Sequence, residues 1–171
     1  MKGITVMSEK EMITIFNSEY ELIGTASREE AHKKGLWHET FHCWMYDIND
    51  DEVFLYFQQR SAKKKDFPNQ LDITAAGHLL AGETVFDGFR EVTEELGLEI
   101  SPNSADCLGV FPVQIHLEDF YDNEFTNVFI VKKKLELGTF VLQEEEVSAV
   151  YAIPLKKLKE LFSDTRKELA I

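Results

Sequence analysis

Cysteine is nearly missing from this chain: of 171 residues only Cys43 and Cys107 carry thiols, and neither belongs to a Cys-x-x-Cys pair or a Cys/His zinc spacing. That scarcity excludes a disulfide framework and predicts free thiols in a reducing cytoplasm. Positive charge is also short, with 18 basic against 31 acidic residues and a formal charge of -13. Such a surface repels nucleic-acid phosphates and anionic membranes, so neither polymer nucleic acid nor a lipid surface is an expected partner. No apolar run is long enough to span a bilayer. Met1 to Lys10 carries acidic and polar residues where an export signal would have a basic start and an apolar stretch, which predicts a cytoplasmic protein. Repeats and low-complexity tracts are missing too, leaving no solenoid or linker to accommodate.

What is present suits one globular domain over residues 1–171, with a small β extension over about residues 1–35. Hydrophobic residues make up 44% and charged residues 29%, and a chain this long can bury a sizeable core. Strands are predicted at Met12 to Phe16, Glu21 to Ala26, Phe41 to Asp47, Val53 to Arg60, Leu71 to Ala75, Leu108 to His116, Asn127 to Leu135 and Val147 to Ile153. Asn17 to Tyr20 and Asn49 to Asp51 supply turns between them. Ser27, with Glu30 three residues on, has the capping-box pattern of a short helical turn through Ala31.

A helix is predicted from Thr84 to Leu96, where Val85, Phe89, Val92 and Leu96 form one apolar stripe and Gly97 stops the helix. A C-terminal helix follows Pro154 and buries Leu155, Leu158, Leu161 and Phe162. The predicted fold class is α/β (α+β), an α/β/α sandwich with a mixed central sheet and a small N-terminal β-meander.

Chemistry concentrates in Gly77 to Leu98, GHLLAGETVFDGFREVTEELGL. Glu91, Glu94 and Glu95 stand at i, i+3 and i+4, so three carboxylates share one helix face. Their mutual repulsion becomes favourable if a hard dication sits among the oxygens, and Mg²⁺ or Mn²⁺ suits carboxylate and water ligands. Arg90, four residues before Glu94, can orient a carboxylate. Gly77 and Gly82 let the backbone approach a metal or phosphate, with the Gly77 carbonyl a candidate ligand. A solvated acidic face is the competing reading of three glutamates alone.

The segment resembles the Nudix box, G-x5-E-x7-R-E-U-x-E-E-x-G-U with U apolar. Gly77 and Glu83 match its first half, and Arg90 through Leu98 matches its second. The spacer from Glu83 to Arg90 is one residue short, which predicts a local adjustment near Thr84 to Asp87 and makes Glu83 the uncertain member. Gly88, a poor helix former, predicts a close approach by the neighbouring sheet. The resemblance implies that Glu91, Glu94, Glu95 and Gly77 hold the metal, that Glu94, Arg90 and Glu91 serve catalysis, and that metal-activated water hydrolyses a P–O–P bond. The implied substrate is a nucleoside diphosphate derivative or another X-linked diphosphate.

The flanking runs Ile23 to Tyr46, Phe57 to Asn69 and Asp72 to His78 are similar to Nudix proteins related to isopentenyl-diphosphate isomerase. There, histidines from these segments bind metal, and this chain has His32, His38, His42 and His78 in them, with His38 and His78 the foremost candidates. The isomerases place a catalytic cysteine where this chain has Ala76, which argues against allylic proton transfer. Arg60, Lys64 and His78 are candidate substrate contacts, and Lys63 and Lys65 add to the same basic group. Glu145, in the run Glu144 to Glu146, is a candidate extra metal carboxylate or base, as is Glu83. Trp37 and Trp44 are expected to pack the core. Two rival readings are an isomerase and a non-catalytic metabolite-binding module, and a homodimer is the default assembly.

Overall fold

The structure is a computed structural model, and it describes residues 10–118 and 120–163. The expectation drawn from Met1 to Lys10 therefore lies almost wholly outside the described residues. The expected α/β class is observed, with strands outweighing helices. In chain order these are β1 (Met12–Phe16), β2 (Leu22–Ser27), α1 (Arg28–Lys34), β3 (Trp37–Asn49), β4 (Glu52–Arg60), β5 (Leu71–Asp72), β6 (Ala75–His78), α2 (Arg90–Leu96), β7 (Asp106–Leu117), β8 (Phe120–Lys132), β9 (Val147–Pro154) and α3 (Leu155–Ser163). Among the described residues, no helix is long and apolar enough to cross a membrane.

The chain forms two compact units. One comprises the residues up to His42, Ala76–Arg90 and Cys107–Phe129; the other comprises Cys43–Ala75, Glu91–Asp106 and the residues from Ile130 onward.

In the first unit β1 pairs antiparallel with β2 and with the start of β3, where Ile15 faces His38 and Phe16 faces Trp37. Helix α1 is longer than the single turn predicted, and its cap is as expected: Ser27 Oγ accepts from Glu30 N at 3.2 Å. The core is aromatic. Phe41 is fully buried against Phe89 and Phe129, and Trp37 stacks on Phe125 with ring centroids 4.6 Å apart.

The predicted Thr84–Leu96 helix starts differently. Val85–Phe89 forms a 3₁₀ turn, and only from Arg90 does the chain become α-helical. Tighter winding covers the same rise with fewer residues, which is how the short spacer is absorbed. Gly88 is buried there, and a Cβ built on it would lie 2.5 Å from Phe41 Cγ. The close approach by the sheet is thus observed, and its cause is the Phe41 ring.

In the second unit β4 pairs antiparallel with β3, β5 and β9. The β3–β4 turn passes through Asp50 and Asp51, both at positive φ, the conformation of tight hairpins. Thr74 is fully buried and bridges strands, donating to Tyr56 O at 2.5 Å and accepting from Met45 N at 3.0 Å. Trp44 packs edge-on against Phe57. In α3, Leu158 is buried as expected, but Phe162 is 78% exposed, so the apolar face of this helix is not covered to its end. The predicted strand Leu71–Ala75 is two strands, β5 and β6, and Gly77 lies in β6 rather than in a loop.

Candidate functional site

Strand alternation in the first unit builds a group that sequence spacing only half revealed. His38 comes from β3, His78 from the end of β6, His32 from α1 and Asp122 from β8. One ligand atom from each lies within 4.8 Å of all the others, and among the described residues no other group of three or more histidines, cysteines or acids does this. His32 Nε2 and His78 Nε2 are 3.2 Å apart. The carboxylate of Asp122 lies 3.5 Å from His32 Nε2 and 3.4 Å from His38 Nε2.

Burial makes this arrangement demanding. His38 is fully buried, and its Nδ1 sits 2.9 Å from Leu36 O. Donation from Nδ1 to that carbonyl aims Nε2 at the group. Among the described residues, His38 Nε2 and Asp122 Oδ1 are buried atoms without a hydrogen-bond partner, since 3.4 Å exceeds the ~2.8 Å of a charge-assisted bond.

The electrostatics agree. Burial alone would lower the His38 pKa, yet the Asp122 carboxylate beside it leaves the imidazole above its ordinary value. Burial likewise opposes ionisation of Asp122, but the two imidazoles hold its carboxyl well below the usual carboxylate range. The group therefore calls for positive charge, as a proton or as a cation. Glu124, two residues along β8, is pushed up to about 7 by burial and by Asp122; Thr40 Oγ1 donates to its Oε2 at 3.2 Å, and His42 Nε2 lies 4.0 Å from the same oxygen. Asp122 and Glu124 escaped the sequence reading. Their signal is an Asp-x-Glu alternation, which in a strand sends both carboxylates to one face.

Arg90 binds Glu83: Nε meets Oε1 at 2.8 Å and Nη2 meets Oε2 at 3.1 Å, and Nη2 also donates to His78 O at 3.1 Å. Glu83 accepts further from Leu80 N at 2.7 Å. Despite burial, these donors hold its carboxyl below the usual value. Glu83 is thus firmly embedded in the box.

In the second unit, α2 shows three environments for its glutamates. Glu94 is exposed and Glu91 half-buried, while Glu95 is 7% exposed and accepts from Gln58 Nε2 at 3.1 Å. Gln58 is itself buried, and its Oε1 has no hydrogen-bond partner among the described residues. Gly97, at φ +68, closes the helix by donating to Thr93 O at 2.9 Å.

The basic group is committed locally. Arg60 spans its loop, contacting Asp66 O, Phe67 O and Asp72 Oδ2, the last at 2.7 Å. Lys64 pairs with Glu146, and Lys63 lies 3.7 Å from Glu145.

A family model described as a NUDIX domain matches residues 36–170. An uncharacterized Nudix hydrolase of Clostridium acetobutylicum is 39% identical over 150 residues, covering 88% of this chain and 73% of the relative. An isopentenyl-diphosphate Delta-isomerase of Aliivibrio fischeri is 29% identical over 142 residues, covering 82% and 78%. Among solved structures, a crystal structure from Deinococcus radiodurans superposes with a TM-score of 0.67 at 20% identity, covering 90% of this chain and 89% of that one, which shows a shared fold.

Proposed function

The chain belongs to the Nudix family and is a hydrolase of phosphoric anhydride bonds, and we propose that it cleaves, with a divalent cation, the diphosphate linkage of a nucleoside diphosphate derivative or another X-linked diphosphate. The observation that carries the metal dependence is the pair of buried, unbonded atoms His38 Nε2 and Asp122 Oδ1. Leaving such groups unsatisfied costs about 1–3 kcal/mol each, and a cation removes the cost. Three imidazole nitrogens and one carboxylate suit Mn²⁺ better than Mg²⁺, whereas the all-oxygen donors Glu91, Glu94 and Glu95 suit either.

A divalent cation supplies charge neutralisation of the diphosphate and a lowered pKa for water. The protein's own part divides among named groups. Arg90 fixes Glu83 and the end of β6. Glu95, held by Gln58, is assigned to cation binding with Glu91. The exposed Glu94 is assigned to proton removal from the attacking water. Arg60 and Lys64 would meet phosphate oxygens by exchanging Asp72 and Glu146 for them. Hydrolysis is favoured over allylic isomerisation because Ala76, two residues before His78, offers no thiol.

The test is a panel of nucleoside and non-nucleoside diphosphates incubated with the full chain, with Mn²⁺, with Mg²⁺ and with EDTA. Metal-dependent release of a monophosphate, lost in Glu94→Gln, is expected. Conversion of isopentenyl diphosphate to its dimethylallyl isomer, without hydrolysis of any panel member, would overturn the reading.

A further inference from the structure

The buried face of β4 carries a polar side chain that is only half engaged. Tyr56 and Gln58 are buried, at 4% and 3% exposure, while Phe57 and Gln59 are half-buried, the alternation that a strand imposes. Main-chain pairing holds the strand from both sides at this point, with Gln58 opposite Val150 of β9 and opposite Asp72 of β5. The Gln58 side chain therefore rises from a firmly fixed backbone.

Two successive glutamines differ in how their amides are used. Gln59 engages both halves: Nε2 donates to Asn69 O at 3.2 Å, and Oε1 accepts from the Tyr151 hydroxyl at 3.2 Å. Gln58, more deeply buried, donates from Nε2 to Glu95 Oε2 at 3.1 Å, and its Oε1 has no hydrogen-bond partner among the described residues. Turning the amide over would set Oε1 against the Glu95 oxygen, acceptor against acceptor, so Glu95 dictates the orientation. An unsatisfied acceptor in the interior is costly, and a methionine of similar volume would avoid that cost. Packing alone does not account for an amide at this position; its donation to Glu95 does.

The recipient is also distinct from its neighbours. Of the three glutamates of α2, Glu94 is exposed and Glu91 half-buried, whereas Glu95 is buried with Val92 and Leu96. Its main chain is anchored as well, since Glu95 O accepts from Gln143 N at 3.1 Å. A carboxylate offers about four acceptor sites, so one donor from β4 can set the plane of the group while other sites serve a cation. Resting on the assignment of Glu95 to cation binding made above, we infer that Gln58 is a positioning residue for the reaction: it orients the Glu95 carboxylate toward the divalent cation. The unbonded Oε1 is the residual cost of placing a donor there. Removing a donor behind a ligand carboxylate weakens metal binding by about tenfold or more.

The experiment is a Mn²⁺ titration of the full chain followed by electron paramagnetic resonance, with metal-free thermal melts alongside. It compares wild type, Glu95→Gln, Gln58→Met and the double variant. The sites that Glu95→Gln weakens are those of the α2 carboxylates. Gln58→Met is expected to weaken the same sites at least about tenfold. The double variant should bind no more weakly than Glu95→Gln alone, because a residue acting through Glu95 has nothing further to lose once that carboxylate is gone. Gln58→Asn, which keeps the amide but withdraws it by one methylene, should shift affinity in the same direction and serves where the methionine variant does not fold. Affinity unchanged in Gln58→Met, whatever its melting temperature, or losses that simply add in the double variant, overturn the positioning role and leave the cation assignment standing. Mn²⁺ binding untouched by Glu95→Gln overturns the assignment of Glu95 to the cation, and this inference with it.

Discussion

Arg90 and Glu83 are joined by two parallel contacts, at 2.8 and 3.1 Å, across a spacer one residue shorter than the Nudix pattern. The 3₁₀ winding of Val85–Phe89 makes this reach possible. Arg90→Ala should cost about 1–3 kcal/mol of stability, because it leaves a part-buried carboxylate short of its strongest donors. Chemical denaturation of wild type and variant at pH 7 gives the comparison; a loss under about 0.5 kcal/mol would mean that the pair is ornamental.

The same pair sets an acid limit. Glu83 titrates below its ordinary value in the folded chain, so its contribution is complete above the unfolded carboxylate value. It is lost as pH falls from there through the lower folded value. Melting temperatures of wild type and Glu83→Gln should converge on acidification below about pH 4 and differ most at neutral pH. A gap that stays constant from pH 7 to pH 3 would show that the charge of Glu83 is not what Arg90 holds.

Gly88 has no room for a methyl group. With Phe41 Cγ 2.5 Å from the point a Cβ would occupy, Gly88→Ala should destabilise the protein by about 1–3 kcal/mol despite the better helix propensity of alanine. The reverse sign in a thermal melt would show that the Phe41 ring yields freely.

The two thiols should differ sharply. Cys43 is fully buried and its thiol is pushed up to about 12 by burial, while Cys107 is exposed. A thiol reagent at pH 8 should modify one cysteine per native chain, and the second only after denaturant is added. Two fast reactions in the native protein would contradict the packing of β3.

Much of this architecture was legible because short β-branched and aromatic runs between turn residues declare strands. Met12–Phe16 appears with the predicted ends. What escaped notice did so for physical reasons. β8 starts at Phe120, seven residues before the predicted Asn127, because the polar run Asp122, Asn123 and Glu124 lacks the apolar pattern that marks a strand. In fact Asp122 belongs to the His/Asp group, while Asn123 donates to Gly35 O. Histidines from distant segments were nameable through a resemblance, but their convergence depends on pairing across the sheet, which no local pattern encodes. The periodicity of α3 marks an apolar face but not how far its cover extends, hence the exposure of Phe162. Arg60 and Lys64 read from sequence as candidate substrate contacts, and only the folded loop reveals the partners Asp72 and Glu146.

The proposed binding of a cation by His32, His38, His78 and Asp122 is tested most directly by Mn²⁺ titration followed by electron paramagnetic resonance, on wild type, on His38→Ala and on Asp122→Asn. Tight uptake by the wild type, weakened at least about tenfold in each variant, is the predicted result. Identical Mn²⁺ uptake by all three proteins would contradict it.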